Sequence, residues 1–248
     1  MEAHIVYTDV IIDLRKFNEP IFHCMAEIKI DKLIRSKRRS IGLQIARDAT
    51  LIVRAPVFAT LQDVRRVVDA KSNWIIAKQT LVRTRLANVK QKEYVAGEEF
   101  LYLGKRYALE FTAEIAVLAA EAERIRIPEG KKERAEEVLT TWYQSEALKV
   151  ISERVSHFAN RNGLPIKSVK ISKAKSRWGS CGPTGSLLFN WRLIMAPLFV
   201  IDYVVVHELA HLKIRDHSKR FWNEVASVMP DYEKAERWLK ENHWELDI

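Results

Sequence analysis

Two histidines four residues apart, with a glutamate directly after the first, limit strongly what this chain can fold into. His207 and His211 lie in the segment VVVHELAHL, residues 204–212. On a helix, positions i and i+4 project from one face, so both imidazoles can reach one ion. The valines before His207 predict a buried helix, and burying two imidazoles and a carboxylate without partners is unfavourable. A bound metal ion removes that difficulty, so the spacing predicts a metal site.

The position of Glu208 indicates which chemistry the metal site supports. It follows His207 by one position, about 100° around the helix, and so points away from the shared face of the two histidines. From there it can reach a metal-bound water but not act as a third ligand on that face. This is the HExxH pattern of zinc hydrolases, in which the glutamate is the general base. The alternative is a structural helix that happens to carry two histidines.

A catalytic zinc ion takes three protein ligands and keeps one open position. His217 is the predicted third ligand, because the six residues from His211 allow the chain to leave the helix and turn back. Glu224 and Glu233 are its rivals, since another class of zinc peptidases takes a glutamate from a later helix. Zn²⁺ is therefore the predicted cofactor.

The residues around His217 leave two further points open. Asp216 is either an acceptor that orients a histidine ligand or a helix cap ahead of Ser218. HELAHLKIRDH also overlays the metzincin pattern, but Ile214 stands where that pattern has a glycine. Met229 precedes Pro230, and core or loop packing suits it better than a metzincin Met-turn.

A glycine-rich loop, SRWGSCG at residues 176–182, precedes the motif helix by one strand and one turn. Such a loop can bring backbone N–H groups close to an anionic or carbonyl oxygen. Arg177 is a candidate catalytic residue that stabilises developing negative charge, and Tyr203 is an alternative donor. The competing interpretation is a tight hairpin with a structural tryptophan. Cys181 has no base to pair with and is predicted to be a small buried residue.

The N-terminal part of the sequence predicts a β-rich lobe with one long helix. A strand is expected from alternation at 22–30, followed by a hairpin formed by 41–46 and 51–55. Thr60 and Asp63 form a predicted capping box at the start of the helix. A second hairpin with its turn at Gly104-Lys105 is predicted within 94–111, and one more strand at 124–127.

From residue 131 the pattern is mainly helical, with a small sheet. A long helix is predicted over 131–162, and strands over 166–172 and 186–192. The buried stripe predicted for the long helix is Val138, Leu139, Trp142, Leu148, Ile151, Val155 and Phe158. The fold class is therefore α+β, divided into a lobe of residues 1–128 and a lobe of residues 131–248.

The composition of the chain indicates its possible partners and its cellular location. The formal net charge is +9, which indicates a basic surface or an anionic partner such as a nucleotide or nucleic acid. The basic run 35–39 is interpreted as a solvated strand edge or an anion contact. Two cysteines, Cys24 and Cys181, make neither a disulfide framework nor a Cys-ligated zinc ribbon. No secretory signal or membrane span is recognised, so a cytoplasmic location is expected.

Several motifs together resemble the YgjP-like family of metal-dependent hydrolases, related to WLM and SprT-like zinc peptidase domains. They are SRWGSC, FNWRL, VVHELAHL and HSKRFW, with SKRRSIGLQIARDATLIVRAP and YLGKRYALEF further upstream. The resemblance covers most of the chain from about residue 30. It implies a zincin-like core in the C-terminal lobe, zinc held by His207, His211 and His217, and Glu208 as the catalytic glutamate. Residues before about 20 fall outside the pattern, and their role is open.

Three functions follow as hypotheses. The first is a zinc metallopeptidase, with Glu208 as general base and an extended peptide or protein substrate added to the strand 186–192. The second is a metal-dependent hydrolase of nucleotides or other phosphoanhydrides. The third is a non-catalytic, basic nucleic-acid-binding module with a structural zinc. Fold-level analogy does not fix the substrate, and the sequence says nothing about oligomeric state.

Overall fold

The structure, a computed structural model, describes residues 10–12, 28–46, 48–88, 92–113, 120–121, 123–174 and 177–248. Residues 22–27 of the first predicted strand, with Cys24, and Ser176 of the glycine-rich loop lie outside these ranges. Contacts divide the chain into two compact units, Val6–Gln91 and a second built on Lys92–Ile248. The boundary between the two compact units therefore lies after Gln91. The division of the chain into lobes of residues 1–128 and 131–248 remains a prediction. The α+β class is confirmed.

The unit Val6–Gln91 is built on a four-stranded sheet. Its strands are β1 (Val10–Ile12), β2 (Lys32–Ser36), β3 (Ile41–Ile45) and β4 (Leu51–Pro56), in the order β1-β3-β4-β2. β3 and β4 form the predicted antiparallel hairpin, and β2 pairs in parallel with β4 at one edge. The basic run begins inside this edge strand, as the solvated-edge interpretation expects.

Two helices cover one face of that sheet. The capping box at Thr60 is confirmed: the Asp63 N–H donates to Thr60 Oγ1 at 3.1 Å, and the Thr60 N–H donates to Asp63 Oδ2 at 2.9 Å. The single long helix predicted from there is wrong. The chain forms α1 (Leu61–Ala70) and α2 (Ser72–Asn88), separated at Lys71, which leaves helical geometry with ψ of 16°. Val64, Val67 and Val68 of α1 and Ile75 of α2 join the sheet in one apolar core.

The unit built on Lys92–Ile248 begins with a second four-stranded sheet. Its strands are β5 (Glu99–Tyr102), β6 (Lys105–Thr112), β7 (Ala120–Glu121) and β8 (Arg124–Pro128), in the order β5-β6-β8-β7. The predicted hairpin is confirmed by β5 and β6, with its turn at Leu103-Gly104. β8 is the predicted strand at 124–127 and pairs in parallel with β6.

A 27-residue helix, α3 (Ala135–Arg161), follows a short 3-10 turn at Glu129–Arg134. Its buried stripe repeats every four residues: Ala135, Leu139, Tyr143, Ala147, Ile151, Val155 and Ala159. The prediction that Leu148 is buried is wrong, because this residue remains 44% exposed. The stripe runs through three alanines, whose small side chains admit close neighbours but give little signal in the sequence.

A three-stranded sheet lies beside the C-terminal helices. It consists of β9 (Ser168–Ser172), β10 (Gly179–Cys181) and β11 (Ser186–Asn190), in the order β10-β11-β9. Part of the predicted glycine-rich loop is therefore a strand. The expectation that 186–192 offers a free edge is wrong, because β11 pairs with β10 on one side and β9 on the other. Residues Trp191–Met195 continue as a 3-10 helix.

Three helices complete this unit: α4 (Leu198–Ala210), α5 (Lys219–Val228) and α6 (Tyr232–Asn242). α4 carries the histidine motif and is buried along most of its length. Arg154 of α3 holds it through two bonds to Asp202, Nε to Oδ1 at 2.5 Å and Nη2 to Oδ2 at 2.9 Å. Within the described ranges no helix has the length and apolar character needed to cross a bilayer.

The start of α4 is fixed by the turn between β5 and β6. The N–H groups of Leu103 and Gly104 donate to the carbonyls of Ile194 and Met195 at 2.8 and 3.0 Å. Gly104 has φ of +78°, and a Cβ there would lie 2.6 Å from Pro197 Cγ and 2.9 Å from Pro197 Cα. Glycine is therefore required twice, for backbone conformation and for close approach.

We expect Gly104→Ala to destabilise the fold by about 2–4 kcal/mol, from a left-handed alanine and an overpacked contact together. Urea unfolding of the purified variant measures the loss. Gly97→Ala is the matched control, because Gly97 has φ of +82° but nothing within 4 Å of its added Cβ. Equal losses in both variants would show that the contact with Pro197 contributes nothing.

Candidate metal centre

Three histidine side chains converge at the end of α4. His207 and His211 come from the helix and its C-cap, and His217 from the segment that leads into α5. Each can present one nitrogen such that the three atoms lie within 4.8 Å of one another. The His207 and His217 Nε2 atoms are 3.0 Å apart. Nitrogens that share a tetrahedral zinc ion are separated by about 3.3 Å, so this spacing suits a common ion.

The tautomer of His211 is fixed by the backbone. Its Nδ1–H donates to the Ile214 carbonyl at 3.0 Å, which leaves the lone pair on Nε2. That Nε2 is buried and has no hydrogen-bond partner among the described residues. A buried nitrogen lone pair without a donor is unfavourable, and a cation at this position would satisfy it. This observation is the strongest sign that the residues fit a metal ion.

Burial also keeps the histidines in the protonation state that binds metal. His207 and His211 are 2% and 3% exposed. Desolvation lowers the pKa of His207 well below its ordinary value, and the two neighbouring histidines lower it further. Desolvation likewise lowers the pKa of His211 and of His217. All three imidazoles are thus neutral near pH 7, as ligands must be.

Glu208 lies on a different side of α4 and contacts β10. The residue is 1% exposed, and its Oε2 has no hydrogen-bond partner among the described residues. A Cβ on Gly179 would lie only 2.5 Å from Oε1 and 2.7 Å from Cγ of Glu208. Burial raises the pKa of the Glu208 carboxyl to about 8, while the positive charge of Arg177 opposes this rise.

Phe221 supports all three histidines and was not anticipated from the sequence. Its fully buried ring lies 4.8, 4.4 and 4.7 Å, centroid to centroid, from the rings of His207, His211 and His217. It follows His217 by four positions on α5, so the motif HSKRFW contained the signal. The ring fills the space behind the imidazoles and limits their movement.

Several other candidate residues lie away from the cluster. Among the described residues, the only group of histidines, cysteines and acids close enough to hold an ion is the histidine triad. Glu224 instead accepts from Lys213 Nζ at 2.6 Å, and Glu233 is exposed in the first turn of α6. Asp216 accepts from the Ser218 N–H at 2.9 Å in a local turn ahead of α5, and the Ile214 carbonyl orients His211. Met229 packs at the end of α5.

The two candidate oxyanion donors, Arg177 and Tyr203, lie on different elements. Arg177 lies just before β10, where the Asn190 side chain donates to the carbonyls of Ala174 and Arg177 at 2.8 and 3.4 Å. Tyr203 is completely buried one turn before His207, and burial raises the pKa of its hydroxyl. Cys181 is half-buried, and burial raises the pKa of its thiol, which disfavours a nucleophilic thiolate.

We expect zinc to stabilise the protein through this site. At free zinc about 1,000-fold above Kd, binding adds about 4 kcal/mol to the free energy of unfolding, so Tm falls after chelation and recovers with zinc. His217→Ala is expected to weaken zinc binding and reduce this shift, measured by calorimetry. His157→Ala, an exposed histidine on α3, is the control. An unchanged zinc affinity in His217→Ala would exclude it as a ligand.

One of three comparisons with known proteins identifies the family of this chain. A search of curated proteins finds no match. The solved structures include the metallopeptidase zymogen abylysin from Pyrococcus abyssi, at 23% identity and a TM-score of 0.34, covering 37% of this chain and 93% of that chain. That similarity is too low to support an argument. The family model of the YgjP-like metallopeptidase domain, however, matches residues 39–242. The chain belongs to this family and is a metal-dependent hydrolase.

Proposed function

We propose that the chain is a zinc peptidase whose metal ligands are His207, His211 and His217 and whose proton carrier is Glu208. The observation that supports this most is the unpaired, buried Nε2 of His211 beside two neutral imidazoles. Three nitrogen donors suit zinc and leave a coordination position open. When bound, zinc polarises a carbonyl oxygen and lowers the pKa of water enough for attack near pH 7.

Glu208 has the properties of a general base. Its carboxylate is buried against β10, and burial makes it a stronger base than a free carboxylate, because desolvation disfavours the charged form. Glu208 takes the proton from the attacking water and delivers it to the leaving amine. Arg177 is the proposed source of positive charge for the developing oxyanion.

The edge of β10 is suited to align an extended substrate. In the antiparallel ladder, the Trp178 carbonyl accepts from Asn190 N–H at 2.8 Å, and the Gly182 N–H donates to the Ser186 carbonyl at 2.8 Å. The alternation of such pairs turns the backbone groups of Gly179 away from β11. A peptide strand that pairs there runs beside Glu208, which supports a peptide as substrate.

Arg215 marks where this edge ends. Its Nη1 donates to the carbonyls of Cys181 and Gly182, both at 3.3 Å, and its Nη2 donates to the Pro183 carbonyl at 3.1 Å. The outward carbonyl of Cys181 is therefore already occupied. Substrate pairing is confined to the part of β10 next to the carboxylate, which favours a short stretch of peptide at the metal.

The rival functions have less support. A two-metal phosphoanhydride hydrolase needs further carboxylate ligands, and no carboxylate joins the triad among the described residues. A structural zinc needs a fourth protein ligand, and the described residues offer three. The phosphoanhydride rival becomes an outcome of the experiment below.

We expect Glu208→Gln to keep one zinc per chain and to lower kcat by about 100-fold or more, because the amide cannot accept the proton. Hydrolysis is measured on a peptide library and a nucleotide panel in parallel, with zinc by mass spectrometry. Glu233→Gln makes the same chemical change on the exposed side of α6 and serves as control. Full activity in zinc-loaded Glu208→Gln would refute the mechanism, and cleavage of nucleotides alone would refute the substrate class.

Gly179→Ala tests the position of the carboxylate separately. The added Cβ must displace Glu208, so we expect at least a tenfold loss of hydrolysis with zinc content retained. Gly130→Ala, where nothing lies within 4 Å of the added Cβ, is the matched control. Wild-type activity in Gly179→Ala would mean that Glu208 does not need its present position.

A further inference from the structure

The positive charge of the chain is concentrated in one part of the sequence. Residues 28–88 contain 14 lysines and arginines against four aspartates and no glutamate, which gives +10. Residues 92–248, more than twice as long, contain 24 basic and 23 acidic residues. The charge surplus of the chain therefore resides in the unit Val6–Gln91, whereas the residues proposed for hydrolysis belong to the other unit.

Many of these cations are exposed along one edge of that unit. We call the following set the basic rim: Lys32 and Arg35 on β2, Lys37 and Arg39 in the turn after it, and Arg65 on α1. All five are exposed. β2 is an edge strand of the described sheet. These five side chains are therefore solvent-exposed, and two of them lie on the edge strand itself.

Two arginines of the rim donate hydrogen bonds to backbone carbonyls. Arg35 Nη1 donates to the Ala59 carbonyl at 2.6 Å and to the Pro56 carbonyl at 3.2 Å. Arg65 Nη1 donates to the Ile28 carbonyl at 3.4 Å. Arg35 thus ties the edge strand to the end of β4 and to the loop before α1, and Arg65 ties α1 to the segment ahead of β2.

An aromatic side chain lies in the loop that Arg35 braces. Phe58 is 73% exposed, and its neighbours Val57 and Leu61 are 64% and 66% exposed. Arg35 Nη1 also lies 3.3 Å from the Val57 carbonyl, within hydrogen-bond range. A solvent-exposed aromatic ring on a braced loop beside a row of cations is the combination that single-stranded nucleic acids use, with phosphates on the cations and a base stacked on the ring.

We propose that the basic rim and Phe58 form a binding site for single-stranded nucleic acid. The cations of the unit extend over an edge strand, a turn and two helices, whereas the most exposed apolar side chains, Val57, Phe58 and Leu61, lie in one loop and at the start of α1. An extended row of charges fits a chain of phosphates better than a membrane contact at one point. Protection of the β2 edge against aggregation also uses exposed cations, but it predicts no ligand.

The test measures fluorescence anisotropy of the full-length protein with a labelled 20-nucleotide DNA strand, the matching duplex and anionic phosphatidylserine vesicles. We expect single strands to bind with an affinity that falls as salt rises from 50 to 300 mM. K32Q/K37Q/R39Q should weaken binding at least tenfold at 100 mM salt and reduce the salt slope by about two, because three phosphate contacts are lost. Arg35 is left intact because it braces the loop.

Matched controls remove the same charge or the same ring elsewhere. K131Q/K149Q/R237Q neutralises three exposed cations of the unit Lys92–Ile248 and should change affinity less than twofold. Phe58→Ala should weaken single-strand binding about fivefold or more and leave duplex binding unchanged. Phe199→Ala, at a 42% exposed ring, should change neither.

Three outcomes would overturn the proposal. They are absence of binding at 50 mM salt, equal losses in the two triple variants, and binding to vesicles without binding to DNA. Circular dichroism and unchanged zinc content verify that each variant is folded. Because none of the substituted residues belongs to the proposed hydrolytic site, a negative result here leaves the peptidase proposal intact.

Discussion

The burial of α4 is the constraint on which the functional part of the molecule depends. The helix takes His207, Glu208 and His211 into the interior, each no more than 3% exposed, and three of their polar atoms have no partner among the described residues. A protein interior tolerates such groups when a ligand or reaction uses them. The surrounding structure holds them in place: Arg154 bonds Asp202, and the β5–β6 turn bonds the segment before Pro197.

Contacts around the helix then determine what each polar group can do. The Ile214 carbonyl fixes the tautomer of His211, and the Phe221 ring contacts all three imidazoles. Gly179 leaves room for the Glu208 carboxylate against β10, and Arg215 bonds the Cys181 carbonyl at the end of that strand. The proposed metal ligands, proton carrier and substrate edge thus belong to one packed arrangement. The basic surface that we propose for nucleic acid lies on residues of the other compact unit and depends on exposed positive charge.

The sequence predicted the site better than its surroundings. The spacing of His207, Glu208 and His211 is a local property of a helix, so it can be read directly, and the position of His217 follows from a short connection. The orientation of His211 by a backbone carbonyl and the packing of Gly179 on Glu208 depend on contacts between distant segments. The assignment of a free edge to 186–192 failed for the same reason, because strand order is a tertiary property. The break at Lys71 was likewise hidden within a continuous helical pattern.

A crystal structure of the zinc-loaded protein, with anomalous diffraction at the zinc edge, tests the central claim most directly. We expect one zinc ion bound by His207, His211 and His217 at about 2.0–2.1 Å, with the fourth position held by a molecule from solvent. Zinc bound by four protein side chains, or bound elsewhere in the chain, would contradict it.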